Sequence, residues 1–248
     1  MSGASSEQRR NVRTAVVWDD LREVLGGDGG SAPLDVLDIG GGTGVSAVRV
    51  AGLGHRVTVV DPSPDALASL GRRAREEGVE VVAHQGDLSA LLAPEGPVAP
   101  GSADLVLCHG VLEHVVDPAA ALGTLREVLR PGGTLSLLVA QRHAAVLARA
   151  MAGHFGQALA LLEPGSPEAS GGRAGRRFTH DEVAALLDGA GLGLLSVHGV
   201  RVFADLVPGS LLDLEPGATA ALLELETAVA TRPEYLPLAT QLHLLARA

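Results

Sequence analysis

A short apolar segment runs directly into a glycine-rich turn early in the chain: Val36-Leu37-Asp38-Ile39-Gly40-Gly41-Gly42-Thr43-Gly44. Glycine lets the backbone approach a ligand closely and adopt torsion angles that other residues avoid. A helix that begins after such a turn presents free N–H groups to an anionic or polar ligand. Four glycines in five residues cost backbone entropy without any gain in packing. We therefore predict a strand, a ligand-binding turn and a helix.

Segments typical of strands and of helices alternate along the chain. The predicted strands are Asp35–Ile39, Arg56–Val60, Val79–Ala83, Ala103–Cys108, Gly133–Val139, Leu192–Val200 and one within Tyr235–Ala246. The predicted helices are Gly44–Leu53, Pro64–Glu77, Pro118–Leu129, Ala144–Ala152, Thr179–Ala190 and Pro216–Ala230. Such alternation favours a parallel sheet that is covered by helices on both faces. The predicted fold is α/β, a doubly wound, seven-stranded, mostly parallel sheet.

The chain is predicted to form one large α/β domain behind an N-terminal helical cap. Residues 9–25 place apolar side chains at helical spacing, and Gly26-Gly27 ends that helix. We assign the cap to residues 1–30 and the domain to residues 31–248, with an insert at about 144–178. Within the insert, Glu163–Arg177 is rich in Pro, Gly and Ser. We expect it to be a mobile loop on the acceptor side.

Composition limits the classes of partner. The chain has 19 Lys+Arg against 29 Asp+Glu, a formal net charge of −10, which disfavours nucleic-acid binding without excluding a local basic face. No apolar stretch approaches the roughly 20 residues of a membrane span, and the polar segment Met1–Arg13 lacks a signal-peptide core. The one cysteine, Cys108, cannot form an internal disulfide. We expect a cytoplasmic protein that binds no membrane.

Three aspartates lie at the ends of three successive predicted strands. Asp38 lies just before the turn, where it would repel a pyrophosphate but could accept hydrogen bonds from a cationic amino-acid ligand. Asp61, followed by Pro62, ends the second strand about twenty residues later, where it could bind both ribose hydroxyls. Asp87, followed by Leu88, is placed for an adenine amino group.

Two observations bear on these assignments. The spacing G-G-G-x-G differs from the G-x-G-x-x-G of dinucleotide-binding enzymes. Asp61 and Asp87 could each simply cap the following helix. Their occurrence together with the glycine turn favours cofactor binding.

Two histidines, His109 and His114, follow the fourth predicted strand. They raise the question of a metal site, but no further Cys/His cluster accompanies them. We therefore expect no metal. His114 is most simply the start of a helix.

Taken in order, these blocks resemble the class I S-adenosylmethionine-dependent methyltransferase family over roughly Pro33 to Ala140. The blocks that carry the resemblance are the glycine turn, Asp61, Gly86-Asp87-Leu88, Cys108-His109-Gly110-Val111-Leu112-Glu113-His114 and Leu129-Arg130-Pro131-Gly132-Gly133-Thr134-Leu135. The resemblance implies a Rossmann-like fold, methyltransferase activity and S-adenosylmethionine as the cofactor.

Segments outside this core are similar to the bacterial tRNA 5-carboxymethoxyuridine methyltransferase family. They are Val12–Leu21, Leu138–Phe155, Gly199–Asp205, Leu222–Thr227 and Tyr235–Arg247. That family methylates a carboxylate on a wobble uridine, so the similarity implies a tRNA partner and a role in tRNA modification.

The resemblance also implies a role for individual residues. Arg13 would reach the methionine carboxylate of the cofactor, and Gly40, Gly41 and Gly42 would lie behind the cofactor. Asp61 would hold the ribose, Asp87 and Leu88 the adenine, and His109 the face toward the sulfonium. His143 and Arg201 would lie near the acceptor.

Two other functions remain open. The net charge of −10 and the 2% aromatic content favour a small-molecule methyltransferase that acts on a carboxylate or hydroxyl. A non-catalytic cofactor-binding protein is a third possibility, and the intact cofactor blocks argue against it. For a carboxylate acceptor no general base is expected, because a group with a reference pKa of about 4 is ionised at neutral pH.

Overall fold

The computed structural model describes residues 14–26, 32–163, 175–214 and 217–248. Arg13, the predicted cap boundary at residue 30 and most of the predicted 163–177 loop lie outside the described residues. The predicted division at residue 30 therefore stays a prediction. In the part of the chain that the structure describes, every helix is too short or too polar to cross a membrane.

The described residues contain seven strands and nine α-helices. The strands are β1 Asp35–Ile39, β2 Arg56–Asp61, β3 Val82–Gln85, β4 Ala103–His109, β5 Leu129–Ala140, β6 Gly193–Val200 and β7 Gln241–Arg247. The helices are α1 at residues 14–24, α2 Val45–Gly52, α3 Pro64–Glu77, α4 Pro118–Val128, α5 Arg142–Met151, α6 Phe155–Ala160, α7 His180–Gly189, α8 Gly209–Leu214 and α9 Ala218–Val229.

All seven strands belong to one sheet with the order β3-β2-β1-β4-β5-β7-β6. The pairs from β3 to β5 are parallel. Strand β7 runs antiparallel to β5, since Gly132 and Gly133 bond to Ala248 while Gln141 bonds to Thr240. The doubly wound, seven-stranded, mostly parallel sheet predicted from the sequence is confirmed.

The chain divides into two compact units. The first contains the described parts of Met1–Val24, Val139–Val183 and Val197–His243, and the second contains those of Leu25–Leu138, Ala184–Ser196 and Leu244–Ala248. In the second unit, Leu37 and Ile39 of β1 are 2% exposed, and Leu105 and Leu107 of β4 are fully buried. Continuous burial of this kind is what a parallel strand between two helical layers requires.

In the first unit, helix α1 buries one face. Its buried residues are Val16, Val17, Trp18 and Leu21, which recur at the spacing of an amphipathic helix. The predicted helix is thus confirmed over its described part. Helix α7 likewise begins at the predicted capping box, because the Glu182 carboxylate accepts the Thr179 N–H at 2.9 Å and Thr179 Oγ1 accepts the Glu182 N–H at 3.3 Å.

The third strand begins later than predicted. The sequence places it at Val79–Ala83, whereas β3 is Val82–Gln85. Gly78 ends α3 in the left-handed conformation, and the Val79 N–H then donates to the Ala74 carbonyl at 2.9 Å. Val79 therefore closes the helix, as in a Schellman motif, and is not available for the sheet.

Two short helices, α6 and α8, were not predicted. Each has six residues, which is less than two turns and too short for a periodic pattern. Strand β5 is also longer than predicted, since it begins at Leu129 and not at Gly133.

A buried carboxylate organises the turn that follows β6. Glu226 of α9 is 1% exposed and accepts the backbone N–H groups of Val202, Phe203 and Ala204 at 2.9, 2.8 and 2.6 Å. A carboxylate that accepts several backbone donors out of water is strongly held. This contact fixes the chain directly after Arg201.

Replacing Glu226 with Ala should therefore destabilise the protein severely. Three N–H groups lose their acceptor, and each buried donor without a partner costs about 1–3 kcal/mol. We expect the free energy of unfolding in urea to fall by at least about 3 kcal/mol. Glu224→Ala, an exposed position on the same helix, is the matched control and should change it by less than about 0.5 kcal/mol. Equal stability of the two variants would contradict this account.

Candidate active site

The glycine turn after β1 has backbone angles that side chains disfavour. Gly40 and Gly42 have φ values of +66° and +55°. A Cβ at Gly40 would lie 2.4 Å from Val111 Cγ2, whereas a Cβ at Gly42 would meet no atom nearer than 3.9 Å. The turn is therefore packed against protein at Gly40 and open at Gly42, where a ligand can approach the backbone.

Asp38 is a buried carboxylate directly behind this turn. Its side chain is 3% exposed, and its Oδ2 atom has no hydrogen-bond partner among the described residues. A Cβ at Gly41 would lie 2.7 Å from that oxygen. Burial, with a smaller contribution from the charge of Asp61, raises the pKa of Asp38 to about 7. An unsatisfied buried carboxylate of this kind fits a cationic ligand group such as an ammonium.

Asp61 ends β2 and joins two turns. Its Oδ2 atom accepts the Gly42 N–H at 2.9 Å, and its Oδ1 atom accepts the Ser63 N–H at 2.9 Å. The N-cap of α3 is Ser63 and not Asp61, so the capping alternative is wrong for Asp61. By holding Gly42, Asp61 also positions the open part of the glycine turn.

Asp87 follows β3 and caps a short 3-10 turn, Leu88–Ala90. Hydrogen bonds from the Ser89 hydroxyl and then from backbone N–H groups lower the pKa of Asp87. Leu88 is buried, and Gln85 Nε2 donates to the Pro62 carbonyl at 3.3 Å. Because β2 and β3 pair in parallel, their ends, with Asp61, Pro62, Asp87 and Leu88, lie side by side.

His109 ends β4, the neighbour of β1 on its other side. Its Nε2 atom lies 2.8 Å from Ser136 Oγ on β5. Burial raises the pKa of the adjacent Cys108 thiol to about 12. A thiol that stays protonated is no nucleophile, so Cys108 is a core residue.

Arg201, in the first unit, has a positive φ of 60°, and no other non-glycine residue in the described part of the chain shares this feature. Its guanidinium pairs with Asp205 and donates to Gln241 Oε1 at 3.3 Å. Its carbonyl accepts the N–H and hydroxyl of Thr240 at 3.3 and 3.1 Å. Arg201 is thus held in place through both its backbone and its side chain.

His143 lies in the first turn of α5 and is exposed. The side chain of Gln141, two residues before His143, caps this helix and also donates to the Leu236 carbonyl at 3.2 Å. The Gln141 N–H donates to the Thr240 carbonyl at 3.0 Å. Gln141 and Arg201 therefore bond to the same residue, Thr240.

The predicted acceptor residues have three neighbours that sequence reasoning missed: Gln141, Asp205 and Gln241. One available signal was the position of Gln141, a polar residue immediately after the long apolar strand β5. It is 2% exposed, and a buried amide needs partners.

A groove of about 800 Å³ lies elsewhere in the second unit, beside the amino ends of β1, β2 and β4 at Asp35, Arg56 and Ala103. None of the predicted site residues lines this groove. Open α/β sheets bind ligands at the carboxyl ends of their strands, so we assign the groove no role in the site.

The pKa of Asp38 predicts a characteristic dependence of stability on pH. Because its folded-state pKa of about 7 lies above the reference value of 3.8, the folded protein binds an extra proton between these pH values. Its stability should therefore decrease as the pH rises through this window, by roughly 2–4 kcal/mol. Asp38→Asn should remove this loss, whereas Asp65→Asn, at an exposed position, should keep it. Urea unfolding at several pH values measures the difference; parallel curves for Asp38→Asn and the parent would refute the assignment.

Comparisons with known proteins identify the family of this chain. The family profile described as a methyltransferase domain matches residues 37–137. The chain is 34% identical over 243 residues to the tRNA 5-carboxymethoxyuridine methyltransferase of Escherichia coli (strain K12), which covers 95% of this chain and 88% of that protein. It is 35% identical over 166 residues to the ubiquinone biosynthesis O-methyltransferase of Xanthomonas euvesicatoria pv. vesicatoria, over 66% of this chain and 65% of the relative.

Among solved structures, the S-adenosylmethionine-dependent methyltransferase from Mesorhizobium loti has the same fold. The TM-score is 0.60 at 19% identity, over 96% of this chain and all of that protein. The glycine turn, the buried carboxylate behind it and the full-length similarity lead to one conclusion: the chain is an S-adenosylmethionine-dependent methyltransferase and belongs to the family that includes the tRNA 5-carboxymethoxyuridine methyltransferase of Escherichia coli.

Proposed function

We propose that this methyltransferase acts on a carboxylate, and that its acceptor is the carboxymethoxy group of a tRNA wobble uridine. The observation that carries the proposal is the extent of the similarity. The family profile covers only residues 37–137, whereas the match to the tRNA enzyme covers 95% of the chain. The likeness therefore includes the first unit, where His143 and Arg201 lie.

The residues of the second unit fit the cofactor. When bound, S-adenosylmethionine supplies a methyl group activated by a sulfonium. The unsatisfied Asp38 oxygen would accept hydrogen bonds from the amino group of its methionine part, and the open face of Gly42 would allow close approach of the backbone. Asp61 would bind the ribose hydroxyls, Asp87 and Leu88 the adenine, and His109 would face the sulfonium side. By the resemblance, Arg13, which lies outside the described residues, would bind the methionine carboxylate.

The acceptor carboxylate is already ionised at neutral pH, so the protein needs no general base. Its contribution is to orient the acceptor, align it with the methyl group and exclude water. We assign the orientation of the carboxylate to Arg201, whose planar guanidinium can bind it bidentately. Because Arg201 pairs with Asp205, the acceptor would share or replace that partner. His143 would lie beside the acceptor.

A small-molecule O-methyltransferase is the second candidate. The net charge of −10 and the 35% identity to a ubiquinone biosynthesis O-methyltransferase favour it. Mass analysis of tRNA nucleosides from a deletion strain separates the two functions. Loss of the methyl ester of 5-carboxymethoxyuridine supports the tRNA function, and an unchanged nucleoside profile refutes it. A cytoplasmic location follows from a tRNA acceptor and stays a prediction.

Removing the Asp61 carboxylate should weaken cofactor binding. The ribose loses a charged acceptor and the Gly42 turn loses its anchor, which together correspond to about 2 kcal/mol or more, or roughly 30-fold in affinity. Calorimetry with S-adenosylhomocysteine measures this for Asp61→Ala. The control Asp65→Ala, exposed at the start of α3, should bind as the parent does. Tight binding of NAD without binding of S-adenosylhomocysteine would overturn the cofactor assignment itself.

Arg201 allows a test in which the backbone is left undisturbed. Its φ of 60° suits glycine, so Arg201→Gly should fold without strain while lacking the guanidinium. We expect cofactor affinity to stay near that of the parent and acceptor kcat/KM to fall by ~10–1,000-fold, since a bidentate charged contact is lost.

Two further variants complete that measurement. Arg201→Lys should also be impaired, because an ammonium cannot replace the planar fork. Arg232→Ala, an exposed position in the same unit, should keep full activity. Parent-like turnover by Arg201→Gly would show that this arginine is only a surface ion-pair partner.

A further inference from the structure

Three side chains that are far apart in the sequence converge within the first unit. Asp20 lies on α1, His198 on β6 and His243 on β7. His198 Nδ1 and His243 Nδ1 lie 2.9 and 3.1 Å from the same atom, Asp20 Oδ2. Among the described residues, these three form the one group of His, Cys, Asp or Glu side chains whose potential ligand atoms all lie within 4.8 Å of one another.

The group lies largely away from bulk solvent. The His243 side chain is fully buried, and those of His198 and Asp20 are 18% and 11% exposed. The two imidazole rings are 6.5 Å apart between centroids and inclined by 32°. The three side chains are positioned by two neighbouring strands and by a helix of the same unit. Asp20 and His198 stay partly exposed, so a small ion can reach the group.

The donor set and the two nitrogen–oxygen separations are close to those of a zinc site. Zinc binds His nitrogen and carboxylate oxygen at about 2.0–2.2 Å in tetrahedral geometry, so neighbouring ligand atoms lie about 3.3 Å apart. The two observed separations of 2.9 and 3.1 Å are close to this value. Two imidazoles and one carboxylate are a donor set that suits zinc, and three protein ligands leave a fourth position for water.

We propose that Asp20, His198 and His243 form a binding site for one divalent transition-metal ion, best matched by Zn²⁺. The ion lies between α1, β6 and β7 and ties the N-terminal helix to these strands. The site shares no residue with the cofactor and acceptor residues, so it does not depend on the proposed function. It departs from the expectation of no metal, which rested on His109 and His114 and on the lack of a further Cys/His cluster beside them.

The alternative is a hydrogen-bonded cluster in which two neutral imidazoles each donate an Nδ1–H to Asp20 Oδ2. Such a cluster is satisfied without an ion. The two arrangements differ in a measurable property, because only the first binds metal with a defined stoichiometry and loses this binding when one ligand is removed.

The test uses the full-length protein without an affinity tag, stripped with a chelator and titrated with Zn²⁺ and with Co²⁺. We expect one equivalent of Zn²⁺ to bind with micromolar or tighter affinity, and Co²⁺ to give the visible absorption of a tetrahedral site. Excess Zn²⁺ should raise the unfolding temperature of the parent, because ligands that bind only the folded state stabilise it.

The variants His198→Gln and Asp20→Asn should each lower the affinity for Zn²⁺ by at least ~10-fold and abolish the Co²⁺ spectrum. His180→Gln is the matched control, because His180 pairs with Asp181 on an exposed helix end without a third ligand, and it should bind like the parent. His198 is partly exposed, so His198→Gln keeps the test valid if Asp20→Asn does not fold. Absence of stoichiometric metal in the parent, or parent-like affinity in His198→Gln, would overturn the site in favour of the hydrogen-bonded cluster.

Discussion

The glycine turn after β1 depends on a close approach between the Asp38 carboxylate and the backbone of Gly41. A side chain at Gly41 would begin 2.7 Å from Asp38 Oδ2, so the turn can pass over the buried carboxylate only if residue 41 is glycine. The Oδ2 atom has no protein partner among the described residues. Burial raises the pKa of Asp38 to about 7. Burial of a group that lacks a partner costs stability in the free protein. A cationic ligand that supplies the missing partner recovers this cost as binding energy.

Carboxylates perform different physical tasks at the ends of neighbouring strands. Asp38 is unsatisfied, whereas Asp61 accepts two backbone N–H groups and fixes the turn that would face the ligand. Asp87 is bound by Ser89, which lowers its pKa. An aspartate at a strand end is thus unsatisfied at Asp38, bound to backbone N–H groups at Asp61 and exposed at Asp87. Of the two aspartates for which capping was considered, Asp87 caps a helical turn and Asp61 does not.

Buried polar groups organise the part of the first unit around Arg201. Glu226 holds the three N–H groups that follow Arg201, and Gln141 and Arg201 both bond to Thr240. Arg201 adopts a left-handed backbone conformation that costs energy in a non-glycine residue. Such strain persists where surrounding contacts over-determine it, and it supports, as a hypothesis, the role proposed for this arginine. The cluster of Asp20, His198 and His243 adds a third polar centre to the same unit.

Local sequence determined the framework of this protein. The apolar strand and the glycine turn identified β1 with its observed bounds, Pro64–Glu77 was predicted with its observed bounds, and the capping box located the start of α7. These features depend on residues within a few positions of one another, and periodicity and glycine content report them directly. The sequence placed Asp38, Asp61 and Asp87 at the ends of successive strands, and the strand order β3-β2-β1 makes these ends adjacent.

Tertiary structure alone decided which side chains meet across the sheet. The pairing of Arg201 with Gln241 joins the ends of two strands, and Glu226 reaches its N–H donors from a separate helix. Asp20, His198 and His243 come from the first helix and the last two strands. No local pattern reports such contacts, because each depends on the register and packing of segments that are remote in the chain. These contacts form only when the hydrophobic faces of those segments are buried together.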